Sequence, residues 1–271
     1  MIYLSSFRLS DKEIANPNIY PYNVFQGKDI DPFVFDAITV LYGNNGSGKS
    51  TILNIIANSL QLKGKEQATN NTFGLIRYCE KFESECGWSL GDDDNGYAIR
   101  KLPDDSRYIK SEDILYEIKK VQQRQVLSDG MEYDYVQRGM SLQKAKEFVN
   151  SKQGMKQRGY IEFAQEKYSN GETSLQYFEE YLKPDALYLL DEPEVSLSPA
   201  NQVLLAQEIN KMARFLRCQF IIATHSPFML GTLKAKIYNI DTKDYEVAKW
   251  SELENVRYFY EFFKEHEKEF E

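Results

Sequence analysis

Apolar and polar positions change their spacing three times along the chain. Residues 33–42, FVFDAITVLY, form a mostly apolar, β-branched run that predicts a strand. A glycine-rich stretch, GNNGSGKST, follows, and then Ile52, Leu53, Ile55, Ile56 and Leu60 recur at helical spacing. Strand, loop and helix in that order open a βαβ unit. From about 75 to 168 the chain is charge-rich and weakly periodic. That region predicts a hairpin turn at Asp94-Asn95-Gly96 and helices around 112–127 and 141–168. Regular patterning returns at Pro184. ALYLL at 186–190 is an uncharged apolar run suited to a buried parallel strand, and it ends in DEPE. Ser198-Pro199 then supplies an N-cap and a first-turn proline for a helix running to about Arg217. QFIIAT at 219–224 is a second buried strand, ending at His225. Alternating strands and helices predict a parallel sheet with its chemistry at the strands' C-terminal ends.

Gly43 to Ser50 match G-x-x-x-x-G-K-[ST] in full. The match sits between a predicted strand and a predicted helix, where its mechanism needs it. Gly43, Asn44, Asn45, Gly46, Ser47, Gly48, Lys49, Ser50 and Thr51 form a candidate nucleotide-binding loop. Its backbone N–H groups and the positive end of the helix would cradle phosphates. Lys49 is placed to reach the β- and γ-phosphates, and the Ser50 hydroxyl to complete a Mg²⁺ shell. Asp191, at the end of ALYLL, is the second candidate Mg²⁺ ligand. Glu192 follows on the rim, where a carboxylate can polarise an attacking water. His225 ends the next strand and is a candidate γ-phosphate sensor. His266 lies in a charged C-terminal helix and receives no role.

Two other stretches bear on function. The acidic cluster GDDDNG fails the calcium-loop register: with Gly96 at position six, positions one and twelve are Gly91 and Leu102. It reads as a turn. YSNGETS, at 168–174, has two readings. Ser169 and Glu172 make a capping box ahead of Leu175, Phe178 and Leu182, or the same residues supply half of a phosphate site completed by a second molecule.

Composition narrows the classes. Of 271 residues, 42% are hydrophobic and 27% charged, an ordinary soluble mixture with length for a sizeable core. The net charge of −8 argues against a generally basic, nucleic-acid-coating surface. A local cationic excess covers Lys144, Lys146, Lys152, Lys156 and Arg158 against Glu147. Cys79, Cys86 and Cys218 are odd in number and lack C-x-x-C spacing, so neither disulfides nor zinc are expected. MIYLSSFRLSDKE does not read as a signal peptide, and no window approaches 18 uncharged apolar residues. A cytoplasmic location is the expectation.

With these motifs assembled, the chain resembles the ABC-type ATPases, P-loop ATPases that dimerise around ATP. GNNGSGKST is similar to their Walker A, LYLLDEPE to their Walker B with its catalytic glutamate, and ATHSP to their switch histidine. YSNGETS occupies the place of their signature, with Gly171 lying 20 residues before Asp191. Within that group, YPYNVF, the SxGE signature, DEPEVSLSP and FIIATHSP most resemble the small stand-alone bacterial "predicted ATPases", often labelled AAA-family and related to SMC, RecF and OLD heads. The resemblance implies an α/β P-loop NTPase of ABC-ATPase type. It would have a mostly parallel central sheet flanked by helices, a small antiparallel N-terminal β part and an inserted helical lobe. It implies one domain over 1–271, with a core of about 1–75 and 175–271 and a lobe of about 76–174. It further implies Mg²⁺ with ATP, an ATP-sandwiched homodimer, and Ser169, Gly171 and Glu172 acting in trans.

The chain also departs from its relatives. The signature is not LSGGQ, Leu197-Ser198 stands where many relatives have Leu-Asp, and no glutamine is placed as the Q-loop ligand. Three roles then compete. The leading one is a soluble ATPase whose hydrolysis resets the clamped dimer and drives or gates an unknown protein partner. A DNA-repair or phage-defence module acting on nucleic acid or an effector is the alternative. A transporter's nucleotide-binding subunit is disfavoured by SxGE and DEPEVSLSP.

Overall fold

A computed structural model describes residues 1–16, 18–28, 31–66, 77–93, 95–111, 131–133, 135–136, 138–151, 182–195 and 197–270. The chain divides into two compact units, Met1–Ser111 with Tyr181–Glu271, and Glu112–Glu180. In chain order the elements are β1 (Leu4–Arg8), α1 (Tyr22–Phe25), β2 (Phe33–Val34), β3 (Ile38–Tyr42), α2 (Lys49–Ser59), α3 (Tyr78–Glu85), β4 (Gly87–Leu90), β5 (Arg107–Lys110), α4 (Leu142–Val149), β6 (Leu187–Asp191), α5 (Pro199–Phe215), β7 (Gln219–Ala223), α6 (Pro227–Thr232), β8 (Lys236–Asn239) and α7 (Glu254–Glu265).

The first unit carries two sheets. A five-stranded sheet runs β5-β6-β7-β3-β8 and is parallel at every pairing. A three-stranded antiparallel sheet runs β2-β1-β4. β3, β6 and β7 are buried at every residue, which is why they read as continuous apolar runs rather than alternating ones. α2 covers the sheet with Ile52, Leu53, Ile55 and Ile56, all buried. A fully buried side chain of this kind contributes about 1.5–3 kcal/mol relative to exposure. The expected turn at 94–96 forms, with Gly96 at φ 78° and its N–H donating to Asp93 O; Asp94 itself is outside the described residues.

Two expectations change. FVFDAITVLY is not one strand: β2 pairs antiparallel with β1, whereas β3 joins the parallel sheet. The break comes at Asp36, whose N–H donates to Thr39 Oγ1 and whose carbonyl accepts from Gln219 Nε2. Gln219 is fully buried, and its Oε1 also accepts the N–H groups of Tyr3 and Leu4 while Nε2 donates to Leu4 O. One side chain on β7 thus ties the antiparallel sheet to the parallel one. Residues 76–111, expected with the inserted lobe, lie in the first unit because β4 pairs with β1 and β5 with β6.

In the second unit, α4 buries Ala145 and Val149, one helical turn apart, and Phe148 meets Tyr135 edge to face. The remainder of the predicted helices at 112–127 and 141–168, and the signature Tyr168–Ser174 with Ser169, Gly171 and Glu172, lie outside the described residues. Among the described residues, no helix is long and apolar enough to cross a membrane.

Candidate nucleotide site

The site lies in the first unit, at the C-terminal ends of β3, β5, β6 and β7. The chain leaves β3 at Tyr42 and turns at once through Gly43. A Cβ there would stand 2.6 Å from Ser47 Oγ and 2.8 Å from Ile240 Cγ1, so only glycine fits. Gly48 (φ 99°) caps α2 in the left-handed region. The first helical bond of α2 runs from Ile52 N–H to Gly48 O, so the N–H groups of Lys49, Ser50 and Thr51 precede the ladder and can receive an anion. At the base of the loop, Asn44 N–H donates to the Asp241 carboxylate at 3.0–3.1 Å.

Lys49 is buried, yet its ammonium is well supplied with partners. Nζ donates to Gly43 O (2.8 Å) and Asn44 O (3.1 Å) and lies 3.7 Å from Glu192 Oε1. Ser50 Oγ donates to Asp191 Oδ1 at 3.1 Å, and Tyr108 OH, from β5, donates to Oδ2 at 3.0 Å. Burial pushes the Asp191 carboxyl above its ordinary range, with the Ser50 and Tyr108 hydroxyls pulling the other way and Glu192 adding to the rise. The Ser50 and Asp191 oxygens stand together, a donor set that suits a hard cation such as Mg²⁺.

β6 ends in an abrupt turn. Glu192 has φ 47° and its N–H donates to Ala223 O, which swings its side chain toward Lys49 and His225. His225 Nδ1 lies 3.6 Å from Glu192 Oε1 and 3.8 Å from Glu194 Oε1. Glu194 is buried; its Oε1 accepts the Thr224 hydroxyl and the His225 N–H. Asn255 Nδ2 donates to His225 O at 3.2 Å, and Asn255 N–H donates to Tyr42 OH. Ser226 caps α6, with Met229 N–H donating to its Oγ, and that Oγ donates to Gln202 on α5.

The fold therefore brings Gly43–Thr51, Asp191, Glu192 and His225 into one cluster, and the signature residues fall outside the description. Sequence reasoning missed Tyr108, Glu194 and Asp241. Glu194 carried a signal, the second glutamate of DEPE three residues after Asp191. Tyr108 carried none, because β5 sits in a charge-rich stretch. A cavity of about 440 Å³ is lined by Leu9, Ser10, Lys12, Tyr22, Phe25 and Lys28 among others. Of its lining, Lys28 Nζ donates to the carbonyls of Ile240, Asp241 and Thr242, and Asp241 in turn holds Asn44 of the loop; Val24 of α1 stands 2.7 Å from where a Gly48 Cβ would go.

A parallel α/β sheet with a phosphate loop after β3 and an acidic strand end at β6 is the arrangement of a P-loop ATPase of the AAA-domain class. The chain belongs to the family described as "AAA domain, putative AbiEii toxin, Type IV TA system", whose model matches residues 80–231, more than half of its length. Among solved structures it is similar to the Smc head domain of Pyrococcus furiosus with an extended coiled coil, bound to the C-terminal domain of ScpA (14% identity, 98% of this chain and 100% of that one, TM-score 0.43). It is also similar to the SMC head domain of Thermotoga maritima (14% identity, 88% and 94%, TM-score 0.41). A third is a nucleotide-free ATP-binding cassette from an ABC transporter (14% identity, 89% and 88%, TM-score 0.42). A search of curated proteins gives no match.

Proposed function

We propose that this protein binds Mg²⁺–ATP at the cluster and hydrolyses it to ADP and phosphate, and that an ATP-sandwiched homodimer passes the resulting change of shape to a protein partner. The observation that carries this reading is the convergence of Lys49, Ser50, Asp191, Glu192 and His225 on one edge of the parallel sheet. Lys49 exchanges its loop carbonyls for β- and γ-phosphate oxygens, while the N–H groups opening α2 hold the phosphate chain. Ser50 and Asp191 would hold Mg²⁺, which when bound would neutralise charge on the phosphates. Glu192, freed from Lys49 as that cation turns to phosphate, accepts a proton from the attacking water. His225 donates to the γ-phosphate. The cavity beside Val24 and Lys28 takes the base and ribose. In the dimer, Ser169, Gly171 and Glu172 of the partner subunit close over the same phosphate.

The test is Glu192→Gln, which keeps the shape of the side chain and removes its basicity. Turnover should fall by roughly 10²–10⁴-fold, the usual span for general base catalysis. ATP affinity by calorimetry should stay near wild type, since Lys49, Ser50 and Asp191 are untouched. Wild-type turnover in this variant would remove Glu192 from the role.

A further inference from the structure

Glu194 has no part in the roles assigned to the cluster above. It is 5% exposed, and its Oε1 is already committed to the Thr224 hydroxyl and the His225 N–H. Its other oxygen, Oε2, is buried and has no hydrogen-bond partner. The same is true of His225 Nδ1, whose nearest carboxylate oxygens are Glu192 Oε1 at 3.6 Å and Glu194 Oε1 at 3.8 Å. A stranded buried polar atom costs on the order of 1–3 kcal/mol. Here two stand on neighbouring side chains, one able to carry a proton and the other to accept it. The backbone around them is held from several sides: His225 N–H by Glu194, His225 O by Asn255, and Ser226 by Gln202. Only the ring is left with a choice.

We propose that Glu194 is a positioning residue for the ATPase reaction: its carboxyl group and His225 Nδ1 share one proton, which obliges Nε2 to carry the other and face the γ-phosphate as a donor. The inference rests on the ATPase reading above. It works for either location of the shared proton. A neutral Glu194 donates to Nδ1 of a neutral ring, and a charged Glu194 accepts from Nδ1 of a charged ring; Nε2–H is present in both. Without Glu194 a neutral ring can take the opposite tautomer, which turns a lone pair toward phosphate oxygens. Closing the pair needs a side-chain movement that brings the free Oε2 to Nδ1, since the 3.8 Å approach is made by Oε1, which Thr224 and the His225 N–H already occupy. It also removes the Nδ1 proton from contest with Glu192, whose basicity is needed for water. Burial already favours the uncharged Glu194 carboxyl, and the Thr224 hydroxyl opposes that.

The experiment uses three proteins. Glu194→Met keeps the length and removes donor and acceptor together. Glu194→Gln keeps an acceptor for Thr224 and supplies an amide N–H to Nδ1, so Nε2–H is retained. Turnover should fall tenfold to a hundredfold in the Met variant, as for carboxylates behind metal-bound histidines, with KM and ATP affinity little changed. The Gln variant should recover most of that loss. The chain has two histidines, so nitrogen spectra of the ring in protein loaded with the β,γ-imido analogue of ATP resolve His225 once His266 is replaced. Wild type and the Gln variant should show a protonated Nε2. A Met variant at wild-type turnover, a Gln variant as slow as Met, or a bare Nε2 in the wild type would each overturn the proposal; the last holds even if Glu194→Met does not fold. A wild-type protein with no ATPase turnover would sink the parent reading instead, and the ring spectra would still report on the pair.

Discussion

At Asp191 two hydroxyls from different parts of the fold meet one carboxylate, Ser50 from the phosphate loop's helix and Tyr108 from the edge strand. The carboxyl is held above its ordinary range chiefly by burial, and Tyr108 restrains the rise. On the proposed reading, protons and Mg²⁺ compete for the same oxygens, so metal affinity should fall as pH drops through that raised value. Tyr108→Phe removes a donor to a charged acceptor, an interaction on the order of 1.5–3 kcal/mol. The Mg²⁺ concentration for half-maximal turnover should then rise by about tenfold or more at mildly acidic pH, and by less at alkaline pH where the proton is gone in both proteins. Magnesium titrations at two pH values check this. Equal requirements in the two proteins would mean that Tyr108 merely packs. Tyr108 also marks where reading the sequence stops. Walker residues announce themselves by spacing, because the phosphate chain imposes one geometry on the backbone. A hydroxyl arriving from another strand is set by register alone, here Tyr108 opposite Leu189, and no local pattern encodes register between strands 80 residues apart.

Among the elements, β7 has the most unusual assignment. Its first residue, Gln219, takes the place of a ladder between sheets by bonding Tyr3 N–H, Leu4 N–H, Leu4 O and Asp36 O. Gln219→Leu would fit the volume and strand all of those backbone groups. At about 1–3 kcal/mol for each stranded group, partly relieved by relaxation, the loss should be several kcal/mol. Urea unfolding followed by circular dichroism measures it; a loss below about 1 kcal/mol, the net value of an ordinary hydrogen bond, would mean that water or repacking satisfies the strands. The strands themselves were legible, since β3, β6 and β7 are buried on both faces and therefore mostly apolar, with Gln219 and Asp191 at strand ends. The break inside 33–42 was not, because β2 and β3 are both apolar and only their partners differ.

For the whole molecule the decisive question is whether YSNGETS meets a second copy. Ser169→Arg in a Glu192→Gln background tests it. The single variant should run as a dimer with ATP on size exclusion, and the double variant as a monomer that still binds ATP. A folded, ATP-bound double variant that dimerises would leave Ser169 as a helix cap, worth about 1 kcal/mol. The molecule also carries its own signal for such changes. Trp250 lies over Gly231 of α6, the helix that begins two residues after His225, and a Cβ at Gly231 would already touch the indole at 3.3 Å. Asn255, which bonds His225 O and Tyr42 OH, is the second residue of α7. The second tryptophan, Trp88, sits on β4 in the antiparallel sheet. Emission from one indole therefore reports the environment of α6, and emission from the other supplies a reference on the antiparallel sheet. Nucleotide-driven motion becomes an optical quantity that needs no added dye.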